Sequence, residues 1–332
     1  MKNVTIADVA KAAGVSVTTV SRFINGNYKK MSDTTKQRVQ QTITNLHYAP
    51  KASARKMRQD FSQMIGVVVG DISNVFSSLL FKGIYDVLQP AGYDVLLMNS
   101  NNSLITEQNE LARLFTQQVD GLILQPNAKT FTPYQQIQTA QLPLVMVDRE
   151  TLNQPQDVAT VVSSNFDASH QLAVRLASQG YQHIITVSRT LAETSAQSKR
   201  IAGFTAGAIQ SQQTMTNLET AHHDRNWLQQ QLHSKIATTI GKTAVVSLMG
   251  PVLFDLLAVC RSLHLTFPND IGLISFDDWT WSQYVNDGIF LLQQQPELMG
   301  HVAAEKLLQQ IQQTPITTMT YIPVKTIEKA SL

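Results

Sequence analysis

The sequence predicts an α + α/β protein: a small N-terminal helix-turn-helix head, a hinge helix, and a body of two subdomains built on parallel sheets. Three observations predict it. The first fifty residues carry helical apolar periodicity interrupted by a glycine. The 332-residue chain has a net charge of only +2, yet residues 1–58 hold eleven Lys and Arg against two Asp and no Glu, a net of +9, and the remainder carries −7. From residue 64 onward, continuous apolar runs alternate with helical segments in two successive series, the signature of buried parallel strands joined by helices.

In the head, Ile6, Val9, Ala10 and Ala13, then Val20, Phe23 and Ile24, recur at three- and four-residue spacing and place one apolar stripe on each of two short helices. Gly14 between them can take the left-handed backbone that ends a helix, with Val15 dropping into the corner beneath. Thr5 three residues before Asp8, and Ser16 three before Thr19, supply hydroxyl caps, with Asp8 able to add a weaker version of the reciprocal capping-box contact. A third helix runs from a Ser32 cap through Val39, Ile43 and Leu46 and closes a small core.

That core leaves Val17, Thr18, Ser21 and Arg22 facing outward. Short side chains let a helix approach a surface closely, and one guanidinium reaches beyond them. Such a face suits the major groove, where Arg pairs with guanine O6 and N7 and methyl groups meet the thymine methyl. A plain solvated face has the same pattern, so charge decides between them. A basic head on an acidic body is the footprint of a polyanion binder, because neutralising phosphates releases condensed counterions. An anionic membrane is the poorer partner, since no helix combines basic residues with a wide apolar face.

The stretch "YAPKASARKMRQDFSQ" follows. Pro50 breaks the preceding helix, and "KASARKMRQ" consists of helix formers with four bases and no acid. A lone helix this short is marginal in water, so the segment is expected to order when DNA neutralises it; an ordinary linker is the alternative. The single Cys260 forbids an internal disulfide and points to a reducing compartment. With no apolar signal core and no run of 18 apolar residues, a cytoplasmic protein is expected. The Gln runs "QQTITN", "LQQQLH", "LLQQQP" and "LLQQIQQ" read as solvated faces of helices.

In the body, "IGVVVG", "YDVLLMN", "DGLILQP" and "LPLVMVD" are the first strand series, and "ATVVSS", "HIITVS", "TAVVSLM" and "IGLISF" the second, with helices at about 167–179, 196–212 and 251–264 in the latter. Two successive units of this kind predict two open sheets with a cleft between them, and ligands bind at the carboxyl ends of such strands.

On these residues the chain resembles the lactose-repressor family of bacterial transcription regulators. "TIADVAKAAGVSVTTVSRFING" is similar to the family's head signature, "YAPKASARKMR" to its hinge, and "IGVVVGDISNVFSSLLFKGIYDVLQPAGYDVLLMN", "VDGLILQP", "KRIAGF" and "PNDIGLISFDD" to its periplasmic-binding-protein-like body. The resemblance implies a head over 1–48, a hinge over 49–60 and an effector-binding and dimerising body over 61–332. Within the body it implies an N-subdomain of about 61–163 plus 293–322 and a C-subdomain of about 164–292 plus 323–332. It further implies that Val17, Thr18 and Arg22 read bases, that Thr5, Ser16, Thr19, Ser21 and Asn25 meet phosphates, and that Ala54, Arg55 and Met57 enter the minor groove. Met57 stands where the family usually has a leucine wedge.

For the effector, the resemblance implies Asp277 gripping hydroxyls, Arg200 and a covering Phe76, with Asp71, Asn74, Asp148, Asn165 and Gln295 as further contacts; Asp278 is assigned a capping role. Three departures bear on which effector it is: Val75 replaces a usual proline, Ser164-Asn165 a usual Asp-Asn, and Met249-Gly250 a usual Asn-Asp. Trp279 and Trp281 offer flat faces to a sugar ring. The expected function is a repressor of carbohydrate-utilisation genes, a homodimer on a palindromic operator in double-stranded DNA, released by a sugar or a sugar acid such as 2-keto-3-deoxygluconate.

No cofactor or metal is expected. "TTIGKTA" ends like a phosphate-binding loop, but the position that needs its first glycine is Ile236. No paired-His metal motif or nucleophile elbow occurs, so an enzyme is disfavoured. A free-standing sugar-binding receptor shares the body pattern but needs a secretion signal and no basic head.

Overall fold

The two strand series and the capped head helices are all present in the computed structural model, which describes residues 4–24, 26–29, 31–46, 48, 61–190 and 195–332. Asn25 and the hinge residues Ala54, Arg55 and Met57 lie outside the described residues. The chain divides into two units, Met1–Ser62 and Gln63–Leu332.

The head comprises α1 (Ile6–Ala13), α2 (Val17–Ile24) and α3 (Asp33–Asn45). The Thr5 side chain accepts from the Asp8 amide while Asp8 accepts from the Thr5 amide at 2.8 Å, a complete capping box. Gly14 ends α1 in the left-handed conformation at φ 61°, which costs a glycine nothing. Ser16 accepts from the Thr19 amide at 3.1 Å and so sets the start of α2. Val9, Ala10, Ala13, Val20, Phe23 and Val39 form the buried core.

The body holds two six-stranded sheets. In the first, β1 (Met64–Val69), β2 (Asp94–Asn99), β3 (Gly121–Leu124), β4 (Leu144–Val147), β5 (Ala159–Ser163) and β11 (Met319–Ile322) lie in the order β11-β5-β4-β3-β1-β2, all parallel. In the second, β6 (Tyr181–Ser188), β7 (Thr214–Glu219), β8 (Lys242–Ser247), β9 (Gly272–Phe276), β10 (Phe290–Gln293) and β12 (Lys325–Ile327) follow the order β12-β10-β9-β8-β6-β7, with β12 alone antiparallel. Val67, Val69, Val145 and Val147 face one side of the first sheet and Val68, Leu122, Leu124 and Met146 the other, so both faces are apolar and helices cover both. The chain crosses between sheets after β5, after β10, and between β11 and β12.

Two features differ from the sequence reading. "LLQQQP" is not helical: Leu291, Leu292 and Gln293 belong to β10. The run is short and doubly buried at its start, a pattern that periodicity does not separate from a helix turn. Strand β7 was not anticipated, because it is a half-exposed edge strand, whereas helix α9 (Arg225–Thr238), of which only Leu228 and Leu232 are buried, is the solvated helix that "LQQQLH" predicts. The remaining helices are α4 (Val75–Leu88), α5 (Leu104–Thr116), α6 (Gln135–Thr139), α7 (Asn165–Ser178), α8 (Ser195–Gln210), α10 (Gly250–Ser262) and α11 (Pro296–Ile311).

Each subdomain has one helix pair in near-backbone contact. A Cβ on Gly300 of α11 would overlap the Leu80 carbonyl oxygen of α4, and one on Gly203 of α8 would overlap the Phe166 carbonyl oxygen of α7. Neither neighbour is a flexible side chain, so the helices themselves have to move apart. Gly300→Ala is therefore expected to destabilise the body by about 1–3 kcal/mol. Urea denaturation checks this against Gly92→Ala, where a Cβ meets nothing and only the positive φ of 85° resists the change.

Candidate functional site

The carboxyl ends of the two sheets face each other across a cleft, with a cavity of about 340 Å³ continuous in its lining with a second of about 620 Å³. Position in the fold explains its charged residues. Asp148 follows β4 and Asp277 follows β9, the same place in each sheet. Both take left-handed backbone, φ 64° and 59°, a conformation aspartate tolerates better than most residues. Each amide is held by the next strand, that of Asp148 by Val161 O at 2.9 Å and that of Asp277 by Leu292 O at 3.2 Å.

Arg200 on α8 is the centre of the second wall. It is 3% exposed. Its Nε donates to Asn165 Oδ1 at 2.7 Å, one terminal nitrogen donates to Leu248 O at 2.5 Å, the other stands 3.9 Å from Asp277, and the guanidinium lies 3.9 Å above the Phe276 ring. Burial lowers the Arg200 pKa, and Asp277 and Asp148 oppose that fall. Burial pushes the Asp277 carboxyl up to about 6, against the opposing pull of Arg200 and of the Gln294 amide at 2.9 Å.

The first wall supplies Asp148, which accepts from Gln125 Nε2 at 2.7 Å, and Arg149, whose guanidinium donates to Asn127 Oδ1 at 2.6 Å and Asn102 Oδ1 at 2.8 Å. Asn74 caps α4 by accepting from the Phe76 amide at 3.1 Å, and Phe76 meets Trp279 across the cleft with ring centroids 6.5 Å apart. Trp281 stacks on Phe254 at 4.4 Å. Gly250 replaces the polar residue expected of the family, and the Asp277 carbonyl stands 2.9 Å from where its Cβ would be.

Of the effector residues named from sequence, Asn74, Phe76, Asp148, Arg200 and Asp277 line the smaller cavity, and Asp71 lines the larger. Asn165 lines neither and instead orients Arg200. Gln295 is not in the cleft: its amide donates to Pro323 O at 2.8 Å, and the adjacent Gln294 takes the position, donating to Ser163 Oγ at 2.8 Å. Neighbours along an extended crossing segment face opposite ways, so an error of one residue inverts the assignment. Asp278 accepts from the Ser282 amide at 2.7 Å and caps the turn, the role assigned to it. Sequence reasoning missed Arg149, Gln125 and Gln197. For the first two the signal was available: each is a polar residue at the carboxyl end of a buried strand, in "VMVDR" and "LILQ".

In the head, Val17 is 45% exposed, and Thr18 and Arg22 are exposed beside it on α2. Thr5 and Ser16 are exposed at the helix starts, while Thr19 and Ser21 are half-buried. Among the described residues no group of three or more His, Cys, Asp or Glu is placed to hold a metal, and no helix is long and apolar enough to cross a membrane.

An exposed small-residue face on a helix-turn-helix, carried on a body whose cleft gathers charges from both subdomains, defines the class: a ligand-responsive DNA-binding regulator. Comparison with known proteins agrees. Residues 5–51 match the model of bacterial regulatory proteins of the lacI family, and residues 173–332 that of the periplasmic binding protein-like domain. The chain is 30% identical over 315 residues to the HTH-type transcriptional regulator KdgR of Bacillus subtilis, covering 93% of this chain and 91% of that protein. It is 33% identical over 313 residues to the regulator PtxS of Pseudomonas putida, covering 92% and 89%. Among solved structures, a LacI transcriptional regulator from Lactobacillus brevis matches with a TM-score of 0.72 and 27% identity over 80% of this chain and all of that one. The lac repressor dimer bound to operator and an anti-inducer matches in fold with a TM-score of 0.85 over 99% of each chain at 21% identity. The chain belongs to the lacI family of bacterial regulatory proteins and is a DNA-binding transcription regulator with a periplasmic-binding-protein-like body, not an enzyme.

The raised Asp277 pKa has a measurable consequence. The native carboxyl binds its proton more tightly than the unfolded one, whose model value is 3.8, so the native state is favoured at low pH and loses that advantage as pH rises through about 6. Asp277→Asn removes the titration. Between pH 5 and pH 7 the wild type is expected to lose stability relative to this variant, by on the order of 1–2 kcal/mol. Urea denaturation at both pH values checks it; a constant difference between the two proteins would count against a raised Asp277.

Proposed function

We propose that this regulator is a cytoplasmic repressor of carbohydrate-utilisation genes, that it binds a palindromic operator as a homodimer, and that a sugar acid releases it. One observation carries the effector reading: two buried arginines, Arg149 and Arg200, line the same cleft from opposite subdomains, each beside an aspartate at a strand end. Paired guanidiniums suit a carboxylate, and the aspartates suit the hydroxyls of the rest of the molecule. The apolar positions Met249 and Gly250 leave room for a less hydroxylated portion, as in 2-keto-3-deoxygluconate.

A ligand held by both walls binds the closed body more tightly than the open one, and that difference is the free energy available to weaken operator binding. The two heads of a dimer engage one operator together, so separating them loses the advantage of linkage. The solved lac repressor relative, a dimer on operator, supports the dimeric arrangement. A sugar-binding receptor without a DNA role is disfavoured by the basic head.

For the head, Arg22→Ala is expected to cost about 1–3 kcal/mol and to relax preference at one symmetric base-pair position. A binding-site selection assay reads this, and equal weakening on every DNA sequence would demote Arg22 to a phosphate contact. For the cleft, calorimetry is expected to show sugar acids binding the wild type, with affinity falling in both Arg200→Ala and Asp277→Ala. A neutral hexose or pentose that binds about tenfold tighter than every acid, a difference of about 1.4 kcal/mol, would reject the acid reading.

A further inference from the structure

Glu107 is a carboxylate that the effector reading does not use. It lies in the first turn of α5, where an acidic residue commonly sits in water and favours the helix dipole, yet it is 0% exposed. Burying a carboxylate is costly unless its oxygens are satisfied, and here both are. Tyr134 donates its hydroxyl to Oε1 at 2.6 Å, and the Asn127 backbone N–H donates to Oε2 at 2.8 Å. The same Tyr134 oxygen accepts from the Ala128 N–H at 3.0 Å, so Glu107 and Tyr134 together fix two successive amides of the loop after β3.

That loop carries the support for Arg149. Ser100 Oγ donates to Val69 O at 2.9 Å, which leaves it to accept from Asn127 Nδ2 at 2.8 Å. The orientation of the Asn127 amide is thereby determined, and its Oδ1 is presented to the Arg149 guanidinium at 2.6 Å. Asn127 thus joins Glu107, through its backbone, to Arg149, through its side chain. Glu107 itself lines neither cavity of the cleft.

We propose that Glu107 is a positioning residue of the effector cleft: it fixes the Asn127 loop that aims Arg149, and its buried negative charge tempers the attraction of that guanidinium for an anion. The inference rests on the reading of the cleft as a sugar-acid site. Its two parts separate chemically. Glu107→Gln keeps an oxygen for the Asn127 N–H, removes the charge, and reverses the hydrogen bond to Tyr134, whose hydroxyl then accepts from the Gln amide and from the Ala128 N–H. Glu107→Ala removes both contacts.

The test uses the full-length regulator. Hydrogen exchange without ligand is expected to show the Asn127 and Ala128 amides equally protected in wild type and Glu107→Gln, and about tenfold less protected in Glu107→Ala, as the loss of one net hydrogen bond implies. Calorimetry with D-gluconate and 2-keto-3-deoxy-D-gluconate, against D-ribose as the neutral probe, is expected to show acids binding about threefold or more tighter to Glu107→Gln, with D-ribose unaffected. Asn127→Ala, which keeps Glu107, covers the case in which Glu107→Ala does not fold: it has to lose about tenfold in acid affinity, the worth of one charge-assisted hydrogen bond. Unchanged Asn127 protection in Glu107→Ala overturns the positioning role, as does full acid affinity in Asn127→Ala. Equal shifts for acids and D-ribose in Glu107→Gln overturn the charge role. If the wild type binds the neutral probe and no acid, the effector class is wrong, and the exchange comparison still decides whether Glu107 fixes the loop.

Discussion

The body depends on one constraint, the burial of the Arg200 guanidinium where the second sheet meets the cleft. A cation removed from water is tolerated only when its donors are matched, and the matching groups come from separate segments: Asn165 at the start of α7, Leu248 after β8 and Asp277 after β9. Losing Asp277 leaves the charge uncompensated, and losing Asn165 leaves a buried donor without its acceptor. The requirement therefore ties the ends of three elements to α8, and it sets the Asp277 carboxyl beside a cation in a place where burial alone would favour its neutral form. Asp148 bears on the same balance from the first subdomain, since its charge raises the pKa of both Arg200 and Asp277. The charge balance of the second wall thus includes a residue of the first.

The repeated architecture multiplies this arrangement. Each sheet sends an aspartate from its fourth strand in sequence, counted within the subdomain, into left-handed backbone at the cleft edge, and each subdomain packs a glycine of one helix against the carbonyl of another. The three crossings between sheets hold the halves together, and the Gln294 amide bridges two of them by donating to Ser163. The Gln294 N–H also donates to Asp277, and Gln295 donates to Pro323 O at the third crossing, so the polar groups of these segments are matched.

The head follows a different logic. Its core is small, and much of its definition comes from caps and a left-handed glycine, which fix the angle between α1 and α2 without bulk. The outward face of α2 can then be nearly free of large side chains, the condition for entering a groove. Selectivity has to come from few residues, and tight binding from using two heads together.

By itself the sequence determined the fold class, the caps and core of the head, the charge asymmetry, and several residues of the cleft, among them Arg200 in "KRIAGF" and the strand-end residues Asp148 and Asp277. Those features are local: a stripe, a cap or a strand end is defined by residues a few positions apart. What only the tertiary structure decided depends on contacts between distant segments. Asn165 proved a support for Arg200, Gln294 rather than Gln295 reaches the cleft, and Arg149 joins the site through Asn102 and Asn127, 47 and 22 residues away. Glu107 offers the plainest case, since helix position alone places such a residue in water. Only the packing of α5 against the loop after β3 buries it and gives both oxygens their partners.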